Sequence, residues 1–399
     1  MSGLSPTRSA ALVVATGIVA ALHIGKLPPA IPVLATDLGV TLVQGGFLLA
    51  VVQMAGMCLG AVVGMLADRL GARRIMLTGL LLLSLASALG AAAVSPRFLL
   101  LTRVMEGLGF LLAVLPAPAL IRRVLHTPAA LNRALGFWGA YMSIGTASIL
   151  LLGPGLYGWL GWRPVWGLLA VVTAGMAGWV WRQVPSDALA TAPTAGPGPV
   201  LSMGQRLATT LRAPGPWAVA LGFLMYSGQW LAVVGFLPTI YTQAGWSVAA
   251  VGGLSALAAG VNLVGNIAAG RLLARGWRPR SLLWWGYGSM GLGAWIAFAS
   301  GAPPLLQYLA VLVFSAVGGL IPATLFTLAV RLAPSAATVS TTVGWVQQLS
   351  SLGQFVGPPL VASLAVRAGG WHLTWWVTGA CCVVGAGLAA LLQSRWLRA

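Results

Sequence analysis

Long apolar runs separated by short breaks rich in arginine, glycine and proline fill the whole 399-residue chain. A helix needs about 20 apolar residues to cross the hydrocarbon core of a bilayer. Twelve stretches meet that demand, at 10–34, 42–67, 75–94, 98–121, 134–159, 164–182, 216–240, 248–273, 281–300, 304–330, 339–365 and 373–393. They are too long, and too free of strict alternation, to be the strands of a barrel. The pattern predicts an all-α membrane protein of twelve transmembrane helices. Composition agrees, because 59% of residues are hydrophobic and 7% are charged, whereas a soluble globule carries about a quarter charged residues.

Charge enters next, as an orientation signal. Of the 22 Lys and Arg, Lys26 and Arg103 fall inside apolar runs and Arg97, Arg163 and Arg367 fall on one set of breaks, which leaves 17 on the other set. The positive-inside rule puts those 17 in the cytoplasm together with both termini, in a bacterial inner membrane. The net charge of +18 then needs no nucleic acid, since the arginines are spread over short segments with no basic domain to hold a duplex. The first run is followed by charged and prolyl residues instead of a small-residue cleavage site, so it is expected to stay on the chain. Tryptophans such as Trp159, Trp162, Trp166, Trp217 and Trp371 fall near predicted helix ends, where an interface suits an amphipathic ring.

The chain also repeats itself. A shift of 206 residues lays Pro32 on Pro238, Gly64 on Gly270, Arg69 on Arg275 and Pro116 on Pro322, and shifts of 204 and 209 lay Gly153-Pro154 on Gly357-Pro358 and Gly161-Trp162 on Gly370-Trp371. Two six-helix halves, 1–183 and 216–399, are therefore expected around a cytoplasmic linker at 184–215, within which 202–212 has the makings of a short surface helix.

The break after the second run reads Gly64-Met65-Leu66-Ala67-Asp68-Arg69-Leu70-Gly71-Ala72-Arg73-Arg74. It resembles the G-x-x-x-D-R-x-G-x-R-R loop of the major facilitator superfamily. Arg103-Val104-Met105-Glu106-Gly107-Leu108-Gly109 is similar to the R-x-x-x-G-x-G pattern of the fourth helix of that family. The resemblance implies the major facilitator fold, with a substrate site near the midplane between the halves. It also implies a gating role for Gly64, Asp68, Arg69, Gly71, Arg73 and Arg74, in which Asp68 meets the start of the eleventh helix, near 335–339 here. The alternative is that Asp68 pairs locally with Arg69, Arg73 or Arg122 and orders the loop. Residues 25–32, 106–110 and 161–163 look most like the cyanate and nitroimidazole permease branch.

An ionisable side chain within the bilayer costs at least ~2.5 kcal/mol and is a functional candidate by default. His23 and Lys26, the only lysine, lie in the first run ahead of Pro28, Pro29 and Pro32, which cannot all sit in an undistorted helix. Arg103 and Glu106 lie in the fourth run. Lys26 and Arg103 are candidates to bind an anionic or strongly accepting substrate, with Tyr141, Tyr226, Gln229 and Trp345 as neutral partners. Glu106 and His23 are the candidate proton carriers. The competing reading is structural: Arg103 pairs with Glu106 one turn away, Lys26 snorkels to the outer interface, and His23 is a hydrogen-bonded core residue.

These features point to a secondary transporter of a small solute, acting as a monomer in membrane lipid. A proton-coupled drug exporter is the alternative, although the G-x-x-x-G-P-x-x-G-G motif of such exporters is incomplete around Gly153-Pro154, where Ile149 stands at the first glycine. No phosphate-cradling loop is present, so gradients must drive transport. The three histidines are scattered, Cys58, Cys381 and Cys382 lie in apolar runs, and no enzyme chemistry, metal or cofactor is expected. The topology is open to test. In a chain freed of its native cysteines, Ala195→Cys should resist an impermeant thiol reagent in intact cells, and efficient labelling there would overturn the orientation.

Overall fold

The computed structural model describes residues 5–125, 127–186, 202–335 and 338–395. Among them every regular element is helical. In chain order these are α1 (Pro6–Gly25), α2 (Leu27–Leu38), α3 (Leu42–Ala50), α4 (Met54–Leu70), α5 (Ala72–Ala91), α6 (Pro96–Val114), α7 (Ala117–Val124), α8 (Pro128–Leu160) and α9 (Trp162–Gln183). There follow α10 (Met203–Arg212), α11 (Pro214–Gln243), α12 (Val248–Gly260), α13 (Asn262–Ala274), α14 (Pro279–Phe298), α15 (Pro304–Gly318), α16 (Leu320–Arg331), α17 (Val339–Ala368) and α18 (Thr374–Arg395).

Joined across their breaks, 11 helical segments among the described residues are long and apolar enough to span a membrane. The remaining predicted run is the 20-residue α14, a full-length helix. Its Trp284, Trp285, Tyr287, Trp295 and four glycines lower its mean hydropathy without shortening it. The twelve-helix expectation therefore holds, with breaks that periodicity alone does not locate. The first run divides at Lys26, because Pro28 and Pro29 enter the first turn of α2, where a missing N–H costs nothing. The fourth run divides before Ala117, with Pro116 at the N-cap of α7. The tenth divides at Gly319. The linker expected at 184–215 lies partly outside the described residues; what is described includes α10, which opens on a reciprocal cap between Ser202 and Gln205.

Contacts gather the chain into two compact units, Met1–Ala192 with Phe236–Ala256, and Pro193–Gly235 with Leu257–Ala399. In the first, α5 packs on α6 and α9, and α1 on α8. Leu12, Val13, Met76, Leu80, Leu120 and Val180 are part of its core. In the second, α14 packs on α15 and α18, around Phe223, Tyr287, Met290, Phe314 and Leu325. The pairs α5·α6 and α5·α9 in one unit match α14·α15 and α14·α18 in the other, as a duplicated sequence requires.

Membrane helices gain little from hydrophobicity alone when they meet, since lipid is equally apolar, and they associate through close backbone approach over small residues. The α5–α6 contact is such a case. A Cβ on Gly109 would stand 2.6 Å from the backbone nitrogen of Leu83, and one on Gly79 would stand 2.6 Å from the carbonyl carbon of Leu112. Backbone cannot swing aside as a side chain can. Gly109→Ala should therefore lower the melting temperature in detergent, by the equivalent of about 1–3 kcal/mol, and Gly109→Val should lower it further. Gly139→Ala, where the new methyl meets open space, should leave it unchanged or raise it slightly. Equal effects at the two glycines would refute the close-packing account.

Candidate functional site

The break at Lys26 creates the site. Helix α1 closes with the Lys26 N–H on the Leu22 carbonyl at 2.8 Å, and the residues four beyond Ile24 and Gly25 are Pro28 and Pro29, which carry no N–H. Backbone acceptors are thus freed in the middle of an apolar segment. Arg103 Nη1 donates to the His23 carbonyl at 2.8 Å and Tyr157 Oη to the Lys26 carbonyl at 2.6 Å. The broken helix is stitched to α6 and α8 by side chains.

Around it lies a closed network of charge. Lys26 Nζ donates to Glu106 Oε1 at 2.5 Å, to Ser87 Oγ at 2.8 Å and to His23 Nδ1 at 3.3 Å. An ammonium has three protons and no acceptor, so all three are placed, and the Trp166 ring lies 4.4 Å from the nitrogen. The other carboxylate oxygen of Glu106, Oε2, pairs with Arg103 Nη1, and Arg103 Nε reaches the Leu48 carbonyl at 3.4 Å. Because the ammonium can only donate, His23 Nδ1 must accept. Nε2 then carries the proton of a neutral ring and donates to Thr173 Oγ1 at 2.7 Å. Thr173 in turn donates to the Leu169 carbonyl, and Ser87 to the Trp166 carbonyl.

His23 and Lys26 are 0% exposed and Arg103 and Glu106 are 1% exposed. This corrects the snorkelling reading of Lys26: with a carboxylate within reach inside the unit, the ammonium has no reason to seek the interface. Nor do the two cations form an open pocket in this conformation, since each is buried and paired with Glu106. Trp162 and Trp166 depart from the interfacial expectation too, being 2% and 0% exposed. Trp166 is held by the ring contact to Lys26, and Trp162 Nε1 donates to Asp37 at 2.7 Å. Trp159, at 83% exposed, fits the expectation.

Asp37, Ser87, Tyr157 and Thr173 escaped the sequence reading. Thr173 carried a usable signal. His23 corresponds to Gln229 under the 206-residue shift, and Thr173 corresponds to Cys382 under the 209-residue shift that relates Gly161 to Gly370. The second unit makes the matching bond, from Cys382 Sγ to Gln229 Oε1 at 3.4 Å. The same interhelical contact is thus built twice, ionisable once and neutral once.

The remaining candidates are dispersed. Gln229 also donates to the Met225 carbonyl at 2.9 Å. Tyr226 exchanges hydrogen bonds with Asn262, which donates to the Ser315 carbonyl at 2.8 Å. Trp345 meets Trp217 edge to face, with ring centroids 4.8 Å apart, and its Nε1 has no partner. Tyr141 stacks on Trp138 at 4.3 Å. Cys58 is exposed, so it is not the packing residue its apolar run implied. Of the gating residues, Gly71 turns the chain with φ of 100°, a value that favours glycine. Arg73 donates to the Trp181 carbonyl, and the Arg74 carbonyl accepts from Thr78 at 3.0 Å. The surroundings of Gly64 and the side chains of Asp68 and Arg69 are not among those described. Helix α17 begins at Val339 behind Thr338, within the interval expected.

The sequence profile of the Major Facilitator Superfamily matches residues 13–358. The chain is 36% identical over 135 residues to the puromycin resistance protein pur8 of Streptomyces alboniger. It is 32% identical over 139 residues to the quinolone resistance protein NorA of Staphylococcus aureus. These matches cover 34% and 35% of this chain and only 27% and 34% of the relatives themselves. Among solved structures, a bacterial homologue of the human lysosomal transporter Spinster, inward-facing and occupied, superposes with a TM-score of 0.82 at 18% identity, covering 99% of each chain. Its unoccupied form gives 0.78 at 17% identity, covering 100% of this chain and 99% of that one. At that identity the likeness shows the fold.

Removing one partner from a buried ion network leaves an uncompensated charge, which costs about 3–5 kcal/mol. Glu106→Gln should therefore destabilise the protein strongly, because it strands two cations. Adding Lys26→Met should recover part of the loss, and a double-mutant cycle on melting temperature in detergent reads the coupling. Simple additivity of the two substitutions would dissolve the network as an energetic unit.

Proposed function

The chain belongs to the Major Facilitator Superfamily, and on that premise we propose that it is a secondary active transporter working by alternating access, coupled to protons through Glu106 and His23. We assign it no enzymatic role. The observation that carries this reading is the sealed network itself. Four ionisable side chains, at 0–1% exposure, share one carboxylate at the point where the first membrane helix is broken. An arrangement that pairs its charges in one conformation, and whose members are costly to strand, has the properties of a two-state element. A change in the charge of Glu106 or His23 would release partners that the closed state holds.

The proposed solute is a small anion, or a polar molecule with strong acceptor groups. With His23 neutral, Lys26 and Arg103 outnumber Glu106, which leaves one formal positive charge in a low-dielectric setting. An anion would complete that balance once the network opens. Inward movement of an anion against an inside-negative potential costs about 2.3 kcal/mol per charge per 100 mV, which calls for a co-transported proton. The inner membrane, with both termini cytoplasmic, remains the proposed location. The resemblance to the cyanate and nitroimidazole permease branch rests on motifs of the first half, and the resistance proteins and the Spinster homologue named above lend it no support.

Drug efflux is the second reading, and the specific observation in its favour is the likeness to two resistance proteins over about a third of the chain. The sign of proton movement separates the two. In proteoliposomes with a trapped pH dye and a clamped potential, small carboxylates or inorganic anions added outside should acidify the lumen relative to protein-free vesicles. Puromycin or a quinolone would make it alkaline if it exchanged for protons. Glu106→Gln and His23→Gln, the second of which keeps a hydrogen-bonding side chain, should each lose the proton signal while anion exchange persists. An undiminished proton signal in both variants removes the network from coupling, and alkalinisation by drugs with silence toward anions puts the efflux reading in place of the first.

A further inference from the structure

The unit formed by Pro193–Gly235 and Leu257–Ala399 contains ten arginines and no aspartate or glutamate, since all four acidic residues of the chain lie at positions 37, 68, 106 and 187. Four of the ten fall within ten residues, on the turn from α13 to α14: Arg271, Arg275, Arg278 and Arg280. Among the described residues, none of these four side chains has a hydrogen bond or ion pair. Arg271, Arg275 and Arg278 are exposed, and Arg280 keeps its Nε unpartnered while its guanidinium lies 3.7 Å from the centre of the Trp284 ring.

The turn is built, not loose. The N–H of Arg275 bonds the Arg271 carbonyl at 3.1 Å and the N–H of Trp277 bonds the Leu272 carbonyl at 3.0 Å. Gly276 takes φ of 85° between them, closing α13 in a Schellman-type cap. Pro279 then starts α14 at once, behind Arg278 in extended conformation. The arginines are thereby held on a short, fixed arc. Beside them Trp277, Trp284 and Trp285 are 48%, 43% and 66% exposed, the placement of rings at headgroup depth.

We propose that the α13–α14 turn binds the phosphate of an anionic phospholipid headgroup. Charge complementarity carries the assignment: four guanidiniums sit in a unit without aspartate or glutamate, beside exposed indoles of the kind that favour headgroup depth. Guanidinium forks match phosphate oxygens in pairs. Each arginine near an anionic membrane surface strengthens binding about five-fold. The site is independent of the coupling network, and its failure would leave that reading untouched.

The test compares lipids added to the full-length protein in neutral detergent, by native mass spectrometry and by melting temperature. Phosphatidylglycerol should bind and raise the melting temperature, and phosphatidylcholine should not. Arg275→Gln with Arg278→Gln, both at exposed positions, should weaken phosphatidylglycerol binding at least about ten-fold, whereas Arg367→Gln should not. Equal binding of phosphatidylglycerol by the double variant and the unaltered chain overturns the site. So does an equal stabilisation by glycerol phosphate or inorganic phosphate at matched concentration, which would make it a free-anion site instead of a lipid one.

Discussion

Burying a carboxylate in a membrane protein is tolerable only when its charge is met at once, and Glu106 meets that condition from two sides. Lys26 comes from the break between α1 and α2, and Arg103 comes from one turn away on α6. Much of the unit is arranged around this requirement. The break needs Pro28 and Pro29 to free backbone acceptors, Tyr157 and Arg103 to satisfy nearby carbonyls, and the Trp166 ring to cover the ammonium. A buried ion network of this kind is weak evidence for added stability, because an apolar replacement can match it.

The fold was legible in the sequence because a bilayer imposes a length and an all-apolar character that few other patterns satisfy. The 206-residue register was legible for the same reason, since prolines and glycines mark places where a helix must bend or approach. Where each run divides was not: Pro116 and Pro322 signalled a fault, and the break falls before Ala117 in one unit and at Gly319 in the other. Of the candidate site, the four ionisable members could be named because each is conspicuous in an apolar run. Their mutual geometry could not, since three of the groups that complete it, Ser87, Thr173 and Trp166, are ordinary membrane-helix residues. Lys26 shows the limit best: sequence places it near an outer end, and only packing decides between interface and interior.

The duplicated contact, His23 with Thr173 and Gln229 with Cys382, shows how the two copies have diverged. Both join the first and last spanning helices of their six-helix set. In one the ring nitrogen and its neighbours can change charge, and in the other no member of the pair can do so near neutrality. In the second copy Ala232 and Leu312 stand where Lys26 and Glu106 would be.

The direction of the hydrogen bonds has a consequence for any proton that moves here. From Lys26 one arm runs through His23 and Thr173 to the Leu169 carbonyl, and another through Ser87 to the Trp166 carbonyl. Both arms end on the backbone of α9, on oxygens that cannot take up a proton at neutral pH. As wires they are dead ends. Among the described hydrogen-bond partners of Lys26, His23 and Glu106 alone can receive a proton, so any proton that leaves the ammonium passes first to one of those two side chains.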